Sequence, residues 1–179
     1  MEIIKTPIKD FRIKLNKVIG DERGYLYEIA PGGNKNKFIN GNIGNIYCST
    51  ATQRNIARGG HYHHKLIEIF YTLSGTALWL FKDFRKSAET FGKTYAVVLG
   101  EKDENIDLNL KKIDAYYLPD SMAQVLVPAG VYHVYYPLTE KKAEVLAVTN
   151  LPHDNNDYTR LKPEEDKDLK KILTQHNLL

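Results

Sequence analysis

Hydrophobic and polar residues alternate along most of this chain, in short runs separated by turn residues. Ile3-Ile4 and then Phe11, Ile13 and Leu15, each spaced by one polar residue, predict one or two strands within residues 1–20. Asp21-Glu22-Arg23-Gly24 predicts a turn, followed by a strand over 25–29, and Pro31-Gly32-Gly33-Asn34 predicts a loop. Further strands are predicted over 42–50, 94–99, 114–118, 122–127, 133–136 and 145–149. The runs 66–73 and 76–82 predict a hairpin around Ser74-Gly75, and 83–92 a charged loop. Only the end reads as helix, over about 163–176. Pro163 and the acids Glu164, Glu165 and Asp166 suit a helix start, and Leu169, Ile172 and Leu173 follow at helical spacing. Many short strands and one terminal helix predict an all-β fold, a small antiparallel barrel or jelly roll that carries ligands in its mouth.

Composition narrows this little. At 179 residues the chain predicts one domain spanning 1–179, with a barrel core over about 20–160. A net charge of +3 is too mild and too dispersed for a nucleic-acid partner. The single cysteine, Cys48, excludes an internal disulfide framework and is expected to be buried and inert. No apolar run is long enough for a membrane span and no signal peptide opens the chain, so a cytoplasmic location is expected.

The chemistry concentrates in Arg58-Gly59-Gly60-His61-Tyr62-His63-His64-Lys65-Leu66-Ile67-Glu68. In a strand, His61 and His63 share one face, and a continuing or returning strand brings Glu68 beside them. Imidazoles with a carboxylate form a ligand set for a borderline divalent metal. His64 and Tyr62 fall on the other face, where surface or packing roles are expected. Arg58 and Lys65, beside a cavity, suit a diphosphate.

The spacing His61-x-His63, four residues, Glu68, six residues, Gly75 resembles the first cupin motif. Pro128-Ala129-Gly130-Val131-Tyr132-His133 resembles the second. Asn55 and Pro137 replace a glycine and an asparagine usual in these motifs. The resemblance implies an RmlC-like cupin jelly-roll β-barrel with His133 as the fourth metal ligand beside His61, His63 and Glu68. Zn, Ni, Fe or Mn is the implied occupant.

A narrower resemblance is to the dTDP-4-dehydrorhamnose 3,5-epimerase family. Asp21 to Gly24 resembles its DxRG loop, Arg58 to Tyr62 its RGLHYQ motif, and Lys65-Leu66-Ile67 its KLV. Asp83 to Gly92 resembles its DxRxxSxTFG segment, and Pro128 to His133 its IPxGxxH. The family implies a nucleotide-diphosphate sugar as substrate, held by Arg23, Arg58, Lys65 and Arg85, with His61 as catalytic base and a homodimeric assembly. Lys65 and Tyr132 complete the expected catalytic set. Tyr71 and Tyr135 are further candidate acids. One departure is chemical. The family's catalytic tyrosine lies in a strand ending LYKATN, and Val145 to Asn150 places Leu146 at that position. The tail Asn150-Leu151-Pro152, with Asp157-Tyr158-x-Arg160, is similar to metal-binding cupin domains of capsular-polysaccharide enzymes. Two functions are therefore open. One is an isomerase or epimerase of a dTDP-4-keto-6-deoxyhexose type sugar in cell-surface polysaccharide synthesis. The other is a non-catalytic metal-binding cupin with a structural or regulatory role.

Overall fold

The computed structural model describes residues 2–29, 43–54, 56–104, 106 and 113–178. The loop Pro31 to Asn34, the start of the strand expected at Asn42, and Asn55 lie outside these residues. The alternating runs form β1 (Glu2–Ile4), β2 (Arg12–Asn16), β3 (Val18–Asp21), β4 (Gly24–Tyr27), β5 (Asn45–Ala51), β6 (Arg58–His63) and β7 (Glu68–Ser74). They continue as β8 (Thr76–Asp83), β9 (Thr94–Glu101), β10 (Asp114–Leu118), β11 (Met122–Val127), β12 (Val131–Pro137), β13 (Ala143–Thr149) and β14 (Tyr158–Arg160). A 3₁₀ turn (Pro163–Glu165) and α1 (Lys167–Gln175) follow.

The strands assemble into two six-stranded sheets in the orders β1-β2-β11-β7-β13-β5 and β10-β9-β8-β12-β6-β14. The β3–β4 hairpin stands apart. Sheet neighbours are mostly distant in sequence, as in a jelly roll. The sheets face one another as a jelly-roll sandwich, in keeping with the all-β jelly roll that the sequence predicted. Ile13, Phe70, Val125 and Val145 of the first sheet meet Trp79, Phe81, Val97 and Tyr135 of the second in the main core. The outer face of the second sheet is also buried. Leu78, Leu80, Val98 and Tyr136 pack under Leu169 and Leu173 of α1. Ile69, Tyr71 and Val148 on the outer face of the first sheet pack with Val18 and Tyr27 of the β3–β4 hairpin.

The hairpin predicted around Ser74-Gly75 does not form. β7 pairs with β11 and β13, while β8 pairs with β9 and β12 in the other sheet. All eight residues of β8 are buried, which only a strand covered on both faces achieves. Gly75 is the corner where the chain changes sheet. Its φ is 68°, and a Cβ there would meet the Lys142 carbonyl at 2.3 Å. The helix starts later than predicted because Asp166 is its cap: the Asp168 and Leu169 N–H groups both donate to its Oδ1 at 3.1 Å. Lys82 Nζ also donates to the Asp166 carboxylate at 2.7–2.8 Å, fastening the helix to β8. Among the described residues, no helix is long and apolar enough to cross a membrane.

Candidate active site

The glycines ahead of His61 set the site. Gly59 and Gly60 hold φ values of 91° and 76°, and a Cβ on Gly59 would lie 2.9 Å from the His133 carbonyl oxygen. Without side chains there, β6 lies close against β12 and pairs His61 with His133, next to a bulge between His133 and Val134. The His61 ring centroid is 4.6 Å from that of His133 and 5.0 Å from that of His63. Glu68 enters from the opposite sheet, at the start of β7. Ligand-capable atoms of His61, His63, Glu68 and His133 all lie within 4.8 Å of one another. The four sequence-predicted metal ligands are thus brought together, three of them buried.

Their electrostatics are those of a charge shut away from water. Glu68 Oε1 accepts a 2.8 Å hydrogen bond from the Tyr47 hydroxyl. Its Oε2 is 3.1 Å from His133 Nε2 and 3.4 Å from His63 Nε2, yet has no hydrogen-bond partner among the described residues. Burial holds the Glu68 carboxyl above its ordinary range. Burial, and then the neighbouring His133, pushes His61 down to about 3. Burial and His63 do the same to His133. At neutral pH both imidazoles are uncharged, the form that binds a metal or accepts a proton. His63 Nδ1 lies 3.4 Å from Asp157 Oδ2, which also accepts the Leu66 N–H at 3.0 Å, and His133 Nδ1 lies 3.5 Å from the Val131 carbonyl. A buried carboxylate oxygen without a hydrogen bond, beside the Nε2 atoms of His63 and His133, fits a divalent cation.

Two cavities adjoin the cluster, about 270 and 330 Å³ in volume, and Tyr47, His61 and Arg160 line both. Arg58 lines the larger one with Tyr135, whose hydroxyl is 2.9 Å from Ser49 Oγ. Arg58 Nε donates to the same oxygen at 3.5 Å. Arg160 stands on β14 opposite His61, its guanidinium 4.9 Å from the Tyr158 ring centre. Two cations therefore line the larger cavity with His61.

Other expected site residues lie elsewhere. Tyr132 is fully buried on the face of β12 turned away from His133, and its hydroxyl donates to the Leu161 carbonyl at 3.0 Å, so the structure does not bring it to His61. Tyr71 packs outside the first sheet and donates to the Ile29 carbonyl. Lys65 is exposed in the β6–β7 loop and lines neither cavity. Arg23 sits on the β3–β4 turn, paired with Asp21. Arg85 is bound through Nε and a terminal nitrogen to the fully buried Asp83, at 2.9 and 2.8 Å. It also donates to the Lys9 carbonyl at 2.6 Å. Thr90 donates to Asp83 at 2.6 Å, so the DxRxxSxTFG-like segment here ties a loop to the N-terminal strands. Cys48, expected to be buried, is exposed because β5 is an edge strand.

On β13, Val145 and Ala147 face the core and Thr149 lines the smaller cavity. Leu146 points outward into the cluster around Tyr71. No β13 side chain facing the cleft carries an ionisable group. Sequence reasoning did not place Tyr47, His153 or Asp157 in the site. Only the tail similarity through Asp157, Tyr158 and Arg160 carried a signal for three of the residues found here, and β14 itself is too short and polar to read as a strand.

Residues 5–108 match the family model described as dTDP-4-dehydrorhamnose 3,5-epimerase. The chain is 27% identical over 160 residues to the dTDP-4-dehydrorhamnose 3,5-epimerase of Shigella flexneri, covering 84% of this chain and 75% of that protein. Its fold is similar to the crystal structure of dTDP-4-dehydrorhamnose 3,5-epimerase from Elizabethkingia anophelis. That match has a TM-score of 0.70 and 26% identity over 94% of this chain and 83% of that one. It is also similar to dTDP-6-deoxy-D-glucose-3,5-epimerase from Legionella pneumophila, solved in complex with dTDP-4-keto-L-rhamnose. There the TM-score is 0.70 and identity 21%, over 89% and 77% of the two chains. On the match of more than half its length to one family model, this chain belongs to the dTDP-4-dehydrorhamnose 3,5-epimerase family.

Proposed function

We propose that the cleft between the sheets binds a dTDP-linked 4-keto-6-deoxyhexose and moves a proton at a carbon next to its carbonyl, as an epimerase or isomerase of deoxysugar synthesis. One observation carries this reading: His61, neutral and lining both cavities, shares the larger one with Arg58 and Arg160 in a member of a sugar-epimerase family. The guanidiniums would bind the diphosphate through charge-assisted hydrogen bonds. His61 would take the proton, since of the four clustered residues it alone lines both cavities. His63, Glu68 and His133 would hold a divalent metal, as a two-histidine, one-carboxylate set with open positions. Such a metal, when bound, supplies a Lewis acid for the carbonyl oxygen. Phe70 and Trp79 line the floor of the larger cavity and keep bulk water from that side.

Calorimetry with dTDP and proton NMR of the keto sugar in D₂O test this reading. Heat of binding and deuterium uptake beside the carbonyl are expected, and the absence of both would overturn it. For the metal, protein purified without a chelator or affinity tag is expected to carry near-stoichiometric Zn, Ni, Fe or Mn. His63→Ala should lower metal content and thermal stability together. Less than about a tenth of an equivalent of any transition metal leaves His61 as a metal-free base. The absence of an ionisable side chain on the cleft face of β13 supports a second reading, a non-catalytic metal-binding module. That reading expects metal without deuterium uptake.

We further propose a homodimer formed through the N-terminal strands, because Ile3, Ile19 and Leu26 there are 52%, 60% and 61% exposed. Light scattering at micromolar concentration should give twice the chain mass, and a monomer would count against it.

A further inference from the structure

We propose that Tyr47 is the acid that completes inversion at carbon in this cleft, supplied by β5 because β13 supplies none. The inference rests on the sugar chemistry proposed above and names a second reacting group for it.

Inversion at a carbon beside a carbonyl needs a base on one face of the sugar and an acid on the other. His61 comes from β6, in the second sheet. Three tyrosines line the cavities: Tyr47, Tyr135 and Tyr158. Tyr135 on β12 and Tyr158 on β14 stand in the same sheet as His61, so each would approach from the base's own side. Tyr47 alone of the three stands in the opposite sheet, and like His61 it lines both cavities. A sugar ring lying between the sheets would present one face to each of them.

The neighbours of Tyr47 suit the role. In register it stands opposite Ala147, whose small side chain leaves room for a phenol to lean into the cleft. Its hydroxyl donates to Glu68 Oε1 at 2.8 Å, which fixes the ring. Tyr47 is 37% exposed, so solvent can restore the proton after each turnover.

The reaction is redox-neutral. His61 removes the carbon-bound hydrogen as a proton, and the electron pair of the broken C–H bond delocalises onto the carbonyl oxygen as an enolate. The Tyr47 O–H bond then breaks, its proton adds to the same carbon from the other face, and the carbonyl re-forms. The tyrosinate takes a proton from water, and the imidazolium returns one to water.

Tyr47→Phe separates the two half-steps. In D₂O with dTDP-4-keto-6-deoxyglucose, the variant should still take up deuterium beside the carbonyl within about threefold of the wild-type rate, since His61 can return a deuteron to the face it came from. Formation of the inverted sugar should fall by about 100-fold or more. Unchanged melting temperature and dTDP affinity confirm that Tyr47→Phe is folded and loaded. Inversion by Tyr47→Phe within about tenfold of wild type overturns the proposal. Parallel loss of uptake and inversion also overturns it, because Tyr47 would then act only by holding Glu68. A wild-type protein that takes up no deuterium marks a different failure, that of the sugar reading, and removes the basis of this one with it.

Discussion

His61, His63, Glu68 and His133 were legible in the sequence because strand alternation and motif spacing are local rules that survive into the fold. Tyr47 was not, since it reaches the cluster through pairing across distant segments, and Asp157 carried only the signal of the tail similarity. Tyr132 shows the converse. The same alternation that turns His133 inward turns its neighbour outward, so a motif residue one position from a ligand belongs to a different core. The residue scale also yields an acid-stability prediction for metal-free protein. His61 and His133 sit at about 3 when folded, against 6.5 for a free imidazole. The unfolded chain therefore binds protons first as pH falls, and stability drops through the window from 6.5 towards 3. Glu68, held above its ordinary value, works in the opposite sense in acid, but one carboxylate faces two imidazoles. Urea unfolding of chelated protein should give a lower midpoint at pH 4.5 than at pH 7, and His133→Gln should shrink the difference. A pH-independent midpoint would contradict the buried, neutral state of His61 and His133.

At the scale of elements, most strands were readable from alternation, and the helix from its acids and Leu169, Ile172 and Leu173. The hairpin at Gly75 was misread because glycine marks a sheet-changing corner as readily as a turn, and eight buried positions in a row look alike in either setting. β14 was missed because its three residues, Tyr158 to Arg160, have no apolar period. It matters nonetheless, since it places Arg160 opposite His61. The Asp83–Arg85–Thr90 knot yields an element-scale prediction. Asp83 is fully buried, so Arg85→Ala strands its charge and should cost about 3 kcal/mol, near the low end for removing one partner of a buried pair because the guanidinium keeps some solvent contact. Denaturant unfolding should show that loss while dTDP affinity stays at the wild-type value. A fall in affinity with unchanged stability would instead assign Arg85 to the substrate, as its family motif implies.

For the whole molecule, the second sheet carries His61, His63 and His133 on β6 and β12. The first sheet offers Glu68 and Tyr47 from across the gap. The site therefore exists only where the two sheets meet, which is why no local stretch of sequence displayed it in full. The central claim is that this meeting place deprotonates a keto sugar through His61. Its most direct test is the rate of deuterium uptake beside the carbonyl of a dTDP-linked 4-keto-6-deoxyhexose in D₂O, for the wild type and for His61→Asn. The account predicts uptake by the wild type and a fall of at least about 100-fold in the variant, with dTDP affinity retained through Arg58 and Arg160. Equal rates for the two proteins, or no uptake by either, would contradict it.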